Sequence, residues 1–272
     1  MPPPLRQTAV AAAVAASWAA LAAAEVALAA ATLAPALGIL AAVAFDGLAR
    51  LRHGRSLLAS TPSSAAWAVV LSIFLMTAIE RLNQAWPLWT YLGWPRDELL
   101  RYLALGVLHA GALPLMITVA DLCGFFHEPQ PPISTRVAIP VGVLGLILLA
   151  GSLAEAVYAG SLIGFSVGLL GLLLIAESWN VAAGDYGIVR APLGPVAAGA
   201  CWGALLWIGD LASARRFLIV DIGPLAWIAL CALLLGPAVL GAYLLVGRKL
   251  GLPLYPADEP GQETIGGLHL DR

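Results

Sequence analysis

A bundle of α-helices crossing a lipid bilayer about eight times is the fold class that the sequence predicts, and three observations predict it. Hydrophobic residues make up 61% of the 272 and charged residues only 11%, with a mean hydropathy of +0.90. A soluble domain carries roughly 25% charged residues, and a water-facing surface cannot be built from so few charges, so most of the surface must face lipid. The apolar residues also arrive in runs long enough to span a bilayer, about 20 residues each. Alternation with a period of two is absent, which argues against a transmembrane barrel.

The predicted spans are residues 8–30, 34–50, 65–83, 99–122, 137–157, 160–180, 193–213 and 222–247. One helix from 8 to 50 would be far too long for a single crossing, so a tight reversal is expected near Pro35. Pro2 to Arg6 and the Ala-rich stretch behind them imitate a secretory signal, but the apolar run is long for one, and a retained first helix is the better reading. Pro114, Pro140 and Pro237 are expected to kink their helices. Gly160, Gly164, Gly168 and Gly171 are spaced four, four and three residues apart, which lays a ridge of small residues along one helix face. Such a ridge lets a neighbouring helix approach closely. The bundle is expected to occupy residues 1–247, followed by a polar, disordered tail over 248–272.

Basic residues set the orientation. With the N-terminus inside, the cytoplasmic side receives Arg6, Arg50, Arg52, Arg55, Arg136, Arg190, Arg248, Lys249 and Arg272. The other side receives Arg81, Arg96, Arg101, Arg215 and Arg216. This bias places both termini in the cytoplasm of a bacterial-type cell, with the bundle in its inner membrane.

Several function classes are disfavoured. A net charge of −2 and a pI near 6.1 supply no basic field for nucleic acid. Cys123, Cys201 and Cys231 form no Cys-x-x-Cys pair, so no zinc site or disulfide framework is indicated. Phosphate-binding loops, nucleophile elbows and His-Glu-x-x-His helices are missing, and no cofactor or metal is expected.

The informative residues are those that do not belong in hydrocarbon: Glu25, Asp46, Glu80, His109, Asp121, Glu155, Glu177 and Asp210. Ionisable groups cost a few kcal/mol at a helix centre and less toward its ends, where they snorkel, cap or pair. Two share a pattern. Glu80 and Asn83 end the third span, and Glu177 and Asn180 end the sixth, each pair placing a carboxylate and an amide one turn apart on one helix face. The offset of 97 residues also aligns Pro95 with Pro192 and Gly106 with Gly203, as an inverted repeat of the kind transporters use would do. A rival, parallel register aligns Glu25, Asp46 and Glu80 with Glu155, Glu177 and Asp210, and the absence of any repeat stays open beside both. His109 is expected to be a hydrogen-bonded packing residue, since no second histidine stands at helical spacing.

The segment from Trp86 to Pro95 carries four aromatic residues and two prolines and cannot be ordinary helix. Its aromatics suit an interfacial belt, or else a loop folded over the bundle mouth beside Glu80 and Asn83 to grip an apolar or cationic ligand. Glu80-x-x-Asn83 followed by Trp89-x-Tyr91-x-Gly93 resembles a pattern in a family of uncharacterised bacterial polytopic membrane proteins. Asp46 with Gly54-Arg55-Ser56-Leu57-Leu58 is similar to that family's preceding helix and loop, so the likeness covers roughly residues 40–95. In the second half Glu177, Asn180 and Tyr186 fit, while the family's tryptophans and lysine are missing. The resemblance implies which residues matter and nothing about a reaction.

The candidate binding residues are therefore Glu80, Asn83, Trp89, Tyr91, Glu177, Asn180, Asp46, Asp210 and His109. The leading expectation is a transporter-like bundle in the lipid bilayer that binds or moves a small or amphipathic solute. A membrane-embedded enzyme acting on a lipid or isoprenoid is the alternative, and a structural or assembly subunit is the third reading.

Overall fold

Peptide groups with no water to bond must pair within their own segment, and the apolar runs accordingly fold as helices. The computed structural model describes residues 2–23, 27–91, 97–127, 131–158, 162–184, 186–212, 218–220, 222–255, 264–265 and 268–269. In chain order the helices are α1 (Pro3–Ala23), α2 (Ala27–His53), α3 (Leu57–Ser60), α4 (Pro62–Ala85), α5 (Glu98–His109), α6 (Ala112–Leu122), α7 (Thr135–Tyr158), α8 (Leu162–Ala182), α9 (Leu193–Ala212), α10 (Pro224–Leu230) and α11 (Gly236–Lys249). A π-helical turn, Cys231–Leu235, joins α10 to α11. Short antiparallel pairings join β1 (Trp89–Tyr91) to β2 (Leu218–Val220), and β3 (Thr264–Ile265) to β4 (Leu268–His269).

The fold is all-α, and five stretches of described helix are long and apolar enough to cross a membrane: Pro62–Gln84, Glu98–Leu122, Thr135–Glu155, Leu162–Ala182 and Pro224–Lys249. Helices α1, α2 and α9 cover the other three expected stretches without joining that group. The Thr135–Glu155 stretch is the clearest case, because only 17% of its apolar window is buried inside the protein. Ile139, Leu146 and Ile147 point outward with more than half their surface uncovered, and no aqueous surface favours such a face.

The chain does not reverse near Pro35. That proline lies inside α2, a helix of 27 residues and about 40 Å. A proline costs an isolated helix one hydrogen bond, which a long helix packed against α1 and α6 tolerates. Pro140 likewise lies inside an uninterrupted α7. The other two prolines do coincide with breaks. Pro114 follows the Ala110–Gly111 interruption between α5 and α6, and Pro237 follows the π turn. The expected disordered tail also starts too early, since Leu254 and Tyr255 fold back onto the bundle. The Leu254 carbonyl accepts from Ser64 Oγ at 3.1 Å, and the Tyr255 amide donates to Tyr243 Oη at 2.9 Å.

Small residues set the closest helix approaches. Across α7 and α8, a side chain at Gly145 would meet the Gly171 carbonyl, and one at Gly171 would meet the Gly145 carbonyl and the Leu149 amide, all under 3 Å. Gly164 and Gly168 lie along the same contact, as the ridge predicted, while Gly160 falls outside the described residues. Gly111, at the α5–α6 break, sits equally close to the α2 backbone at Gly38.

Because backbone and not flexible side chain faces Gly171, a Gly171→Leu variant is expected to force α7 and α8 apart and lose about 1–3 kcal/mol. Thermal unfolding in detergent checks it, with Gly151→Leu as the control: nothing lies within 4 Å of Gly151, and its melting temperature is expected to stay at the wild-type value.

Candidate functional site

Helix α4 delivers Glu80 and Asn83 to one face at its C-terminal end, and both are buried. The chain leaves the helix there, so its next peptide groups enter the bundle without helical partners. Asn83 supplies them. Its Oδ1 accepts from the Leu88 and Trp89 amides at 3.0 and 3.3 Å, and its Nδ2 donates to the Trp89 carbonyl at 2.9 Å. The segment beyond is strapped from its other edge, where Trp89, Thr90 and Tyr91 pair with Val220, Ile219 and Leu218. Trp86, Leu88 and Trp89 are buried, so this part of the loop folds inward and is no interfacial belt. Gly93, Trp94 and Pro95 lie outside the described residues.

The inward loop converges on the Glu80 carboxylate. Trp89 Nε1 donates to both Glu80 oxygens at 3.1 Å, and Tyr91 Oη donates to Oε1. Burial first, and then the Glu80 charge, pushes the Tyr91 phenol well above its ordinary pKa, so it stays protonated and donates. From across the bundle, His109 Nε2 lies 3.1 Å from Glu80 Oε1. The Trp89 ring packs edge-on against Phe165 and Trp227, with centroids 5.5 and 5.3 Å apart, and Trp202 stands 6.0 Å from the His109 ring.

His109 is held there by a break in its own helix. Ser72 Oγ donates to the His109 carbonyl and accepts from the Leu113 amide, standing in for the helical bond these two would have made. Pro114 has no N–H with which to continue the ladder. Beside this centre, Trp86 Nε1 donates to Glu155 Oε2 at 2.9 Å, and Gly164 leaves the space for that carboxylate. Sequence reasoning noted Glu155 but did not join it to the site.

Glu177 and Asn180 do comparable work at the other end of α8. Gly164 packs against Trp86 and Glu155, and Glu177 lies 13 residues further on, about 20 Å along the helix. Its carboxylate accepts from the Ile188 and Val189 amides at 2.6 and 3.2 Å. Asn180 Nδ2 donates to the Gly241 carbonyl at 3.2 Å, and its Oδ1 is buried with no partner. Glu80 and Glu177 thus each bind a residue eleven positions downstream, Tyr91 and Ile188. Tyr186 packs tilted against Phe125 and edge-on against Phe126 at this end.

Asp46 is bonded elsewhere. It is fully buried, with Oδ1 accepting from the Leu58 amide at 2.9 Å and Oδ2 from Gln7 Nε2 at 3.2 Å, so it fixes α3 and the start of α1 against α2. Asp210 is buried near the end of α9, on the way to β2. Glu25 falls outside the described residues. A residue that sequence reasoning left aside, Asp121, accepts from Tyr255 Oη at 2.7 Å, and burial together with that carboxylate pushes the Tyr255 phenol far up. Around it, Arg52 and Arg55 donate to the Leu122 and Phe126 carbonyls, and His127 Nε2 lies 2.9 Å from His53 Nδ1. Among the described residues no group of three or more His, Cys, Asp or Glu is placed to hold a metal ion. An open groove of about 490 Å³ lies on the flank of α1 and α2, lined by Val10, Val14, Leu40 and Val43, apart from both Glu-x-x-Asn pairs.

Two outcomes follow. Asn83→Ala strands the buried Leu88 and Trp89 amides and is expected to cost about 2 kcal/mol or more, read as a lowered unfolding temperature and faster proteolysis in the Trp86–Tyr91 segment. At the opposite end, burial and then the neighbouring His127 depress the His53 pKa below 6.5. A depressed folded-state value means that the stabilising contribution is complete above the unfolded value, about 6.5, and is lost as pH falls through the folded one. Melting temperatures measured from about pH 8 to about pH 5.5 are therefore expected to fall less in His53→Gln than in the wild type.

No protein-family model, curated protein or solved structure matches the chain.

Proposed function

We propose that the chain is an eight-span inner-membrane protein with both termini in the cytoplasm, and that it binds and moves a small or amphipathic solute. The observation that carries this reading is the Glu80 centre, a carboxylate inside the bundle bonded at once to His109 and to Trp89 and Tyr91 of the loop that closes that end. Glu177 holds the loop at the far end through two backbone amides, the first of them also eleven residues downstream. Each end is thus closed by a segment latched to an acid, and a ligand that competes for either carboxylate would release the segment it holds. Two such latches, one beside Phe165 near the start of α8 and one at Glu177 near its end, suit a pathway opened from alternate sides. The shared spacing supports the 97-residue register, in which α4 and α8 would be equivalent helices of an inverted repeat. Glu80 and Glu155 both meet indoles of the aromatic loop, whereas Asp46 and Asp121 are bonded near the end held by Glu177, so the acids do not gather at one end.

Complementation of a deletion strain, followed by metabolite and lipid profiling, tests the proposal. Wild-type protein is expected to restore the profile, while Glu80→Gln and Glu177→Gln each fail to do so at undiminished membrane levels. Full restoration by both variants would refute a role for these acids in solute movement.

A further inference from the structure

We infer that the groove between α1 and α2 binds an anionic phospholipid, with the headgroup on Arg6 and an acyl chain along the valines beyond it. The groove is open, about 490 Å³ in volume, and its two ends differ in chemistry. On α1 it is lined at four-residue intervals by Arg6, Val10 and Val14, which stack along one helix face. Leu40 and Val43 of α2 form the opposite wall. From Arg6 to Val14 the lining passes, over about 12 Å, from a cation to a purely apolar surface. Val10 and Val14 keep 55% and 43% of their surface uncovered, which offers a strip for a chain of methylenes. A lipid in a bilayer has the same polarity, charged at its head and apolar along its length.

Polar bonds hold the two walls together at the Arg6 end. Gln7 Nε2 donates to the Val43 carbonyl at 3.0 Å, and Thr8 Oγ1 donates to the Ala44 carbonyl at 3.1 Å. A side chain at Gly47 would strike the Pro4 carbonyl, so α1 starts hard against α2 there. The arginines at this end then divide into two groups. Arg52 and Arg55 donate to the Leu122 and Phe126 carbonyls. Arg6 and Arg50 have no hydrogen-bond or ion-pair partner for their guanidinium groups among the described residues. Arg50 follows Val43 by seven residues, which puts it on the same face of α2 as the groove wall, at the Arg6 end. Asp46, one turn before Arg50, is fully buried and bonded to Leu58 and Gln7. Two guanidinium groups at the head of an apolar groove complement a phosphate, whose oxygens accept from arginine in pairs. A zwitterionic headgroup brings its own cation and leaves that charge unmatched. A second copy of the chain fits less well, because a two-fold dimer in one bilayer brings both Arg6 side chains to one depth of one interface, where like charges repel.

The groove lies apart from Glu80 and Glu177, so the inference stands whether or not those acids move a solute. Native mass spectrometry of the full chain in detergent, mixed with dioleoyl phosphatidylglycerol or dioleoyl phosphatidylcholine, tests it. The wild type is expected to retain the anionic lipid in preference to the zwitterionic one. Arg6→Gln is expected to lower the population carrying phosphatidylglycerol about fivefold, the effect of one basic residue beside an anionic headgroup, and to leave retention of phosphatidylcholine unchanged. Val10→Trp keeps both arginines but fills the groove, and is expected to remove the same bound lipid at an unchanged melting temperature. Should that variant not fold, Val14→Trp blocks the groove two turns from Arg6 and is expected to do the same. Equal retention of the two lipids by the wild type, or a preference that survives Arg6→Gln, would overturn the assignment. So would a wild-type dimer that Val10→Trp dissociates, since a second copy would then be the occupant.

Discussion

A buried carboxylate that must find its hydrogen-bond donors inside the bundle organises this protein. Burial of Glu80 leaves its partners to come from the protein: an indole and a phenol that donate, and an imidazole in hydrogen-bond contact, from a loop and from a second helical column. Each donor then has its own position determined. Trp89 cannot lie in the headgroup layer and still reach Glu80, and Tyr91 cannot leave without stripping the acid. His109 must face the acid at a point where its helix is broken. One costly group thereby draws in the loop, the short strand pairing behind it and the interruption between α5 and α6.

The far end of the bundle solves the same problem with backbone. Glu177 takes two amide donors from its own downstream loop, and Asp46 takes one from the short helix after Gly54, whose φ of 76° ends α2. Arginines there donate to main-chain carbonyls at helix ends. The Glu80 end is lined by tryptophans, Trp89, Trp202 and Trp227, while Phe125, Phe126 and Tyr186 pack at the Glu177 end. Glu177 and Asp46 thus hold backbone amides, whereas Glu80 meets an imidazole whose Nδ1 is buried without a partner.

Between the two ends the helices are held by the absence of side chains. Without a hydrophobic drive between apolar helices in lipid, close contact of backbones through Gly145 and Gly171 supplies the packing that larger residues would prevent. The π turn before Pro237 belongs to the same economy, since Gly199 and Gly203 of α9 press against Cys231 there.

Amino-acid order alone determined the helical class, five of the expected spans, the packing role of the α8 glycines and the one-turn pairing of carboxylate with amide at Glu80–Asn83 and Glu177–Asn180. Those features depend on local composition or on spacing within one helix, where i to i+3 geometry is known in advance. Tertiary structure decided the rest. Whether Pro35 ends a helix depended on the support of neighbouring helices, and whether Trp86 and Trp89 faced lipid or the interior depended on the position of Glu155 and Glu80. The partnership of Glu80 with His109, 29 residues away, and of Tyr255 with Asp121, 134 residues away, has no periodic signature in the chain. A buried polar group announces in sequence that it needs a partner, but the identity of that partner is a property of distance in three dimensions, which only packing sets.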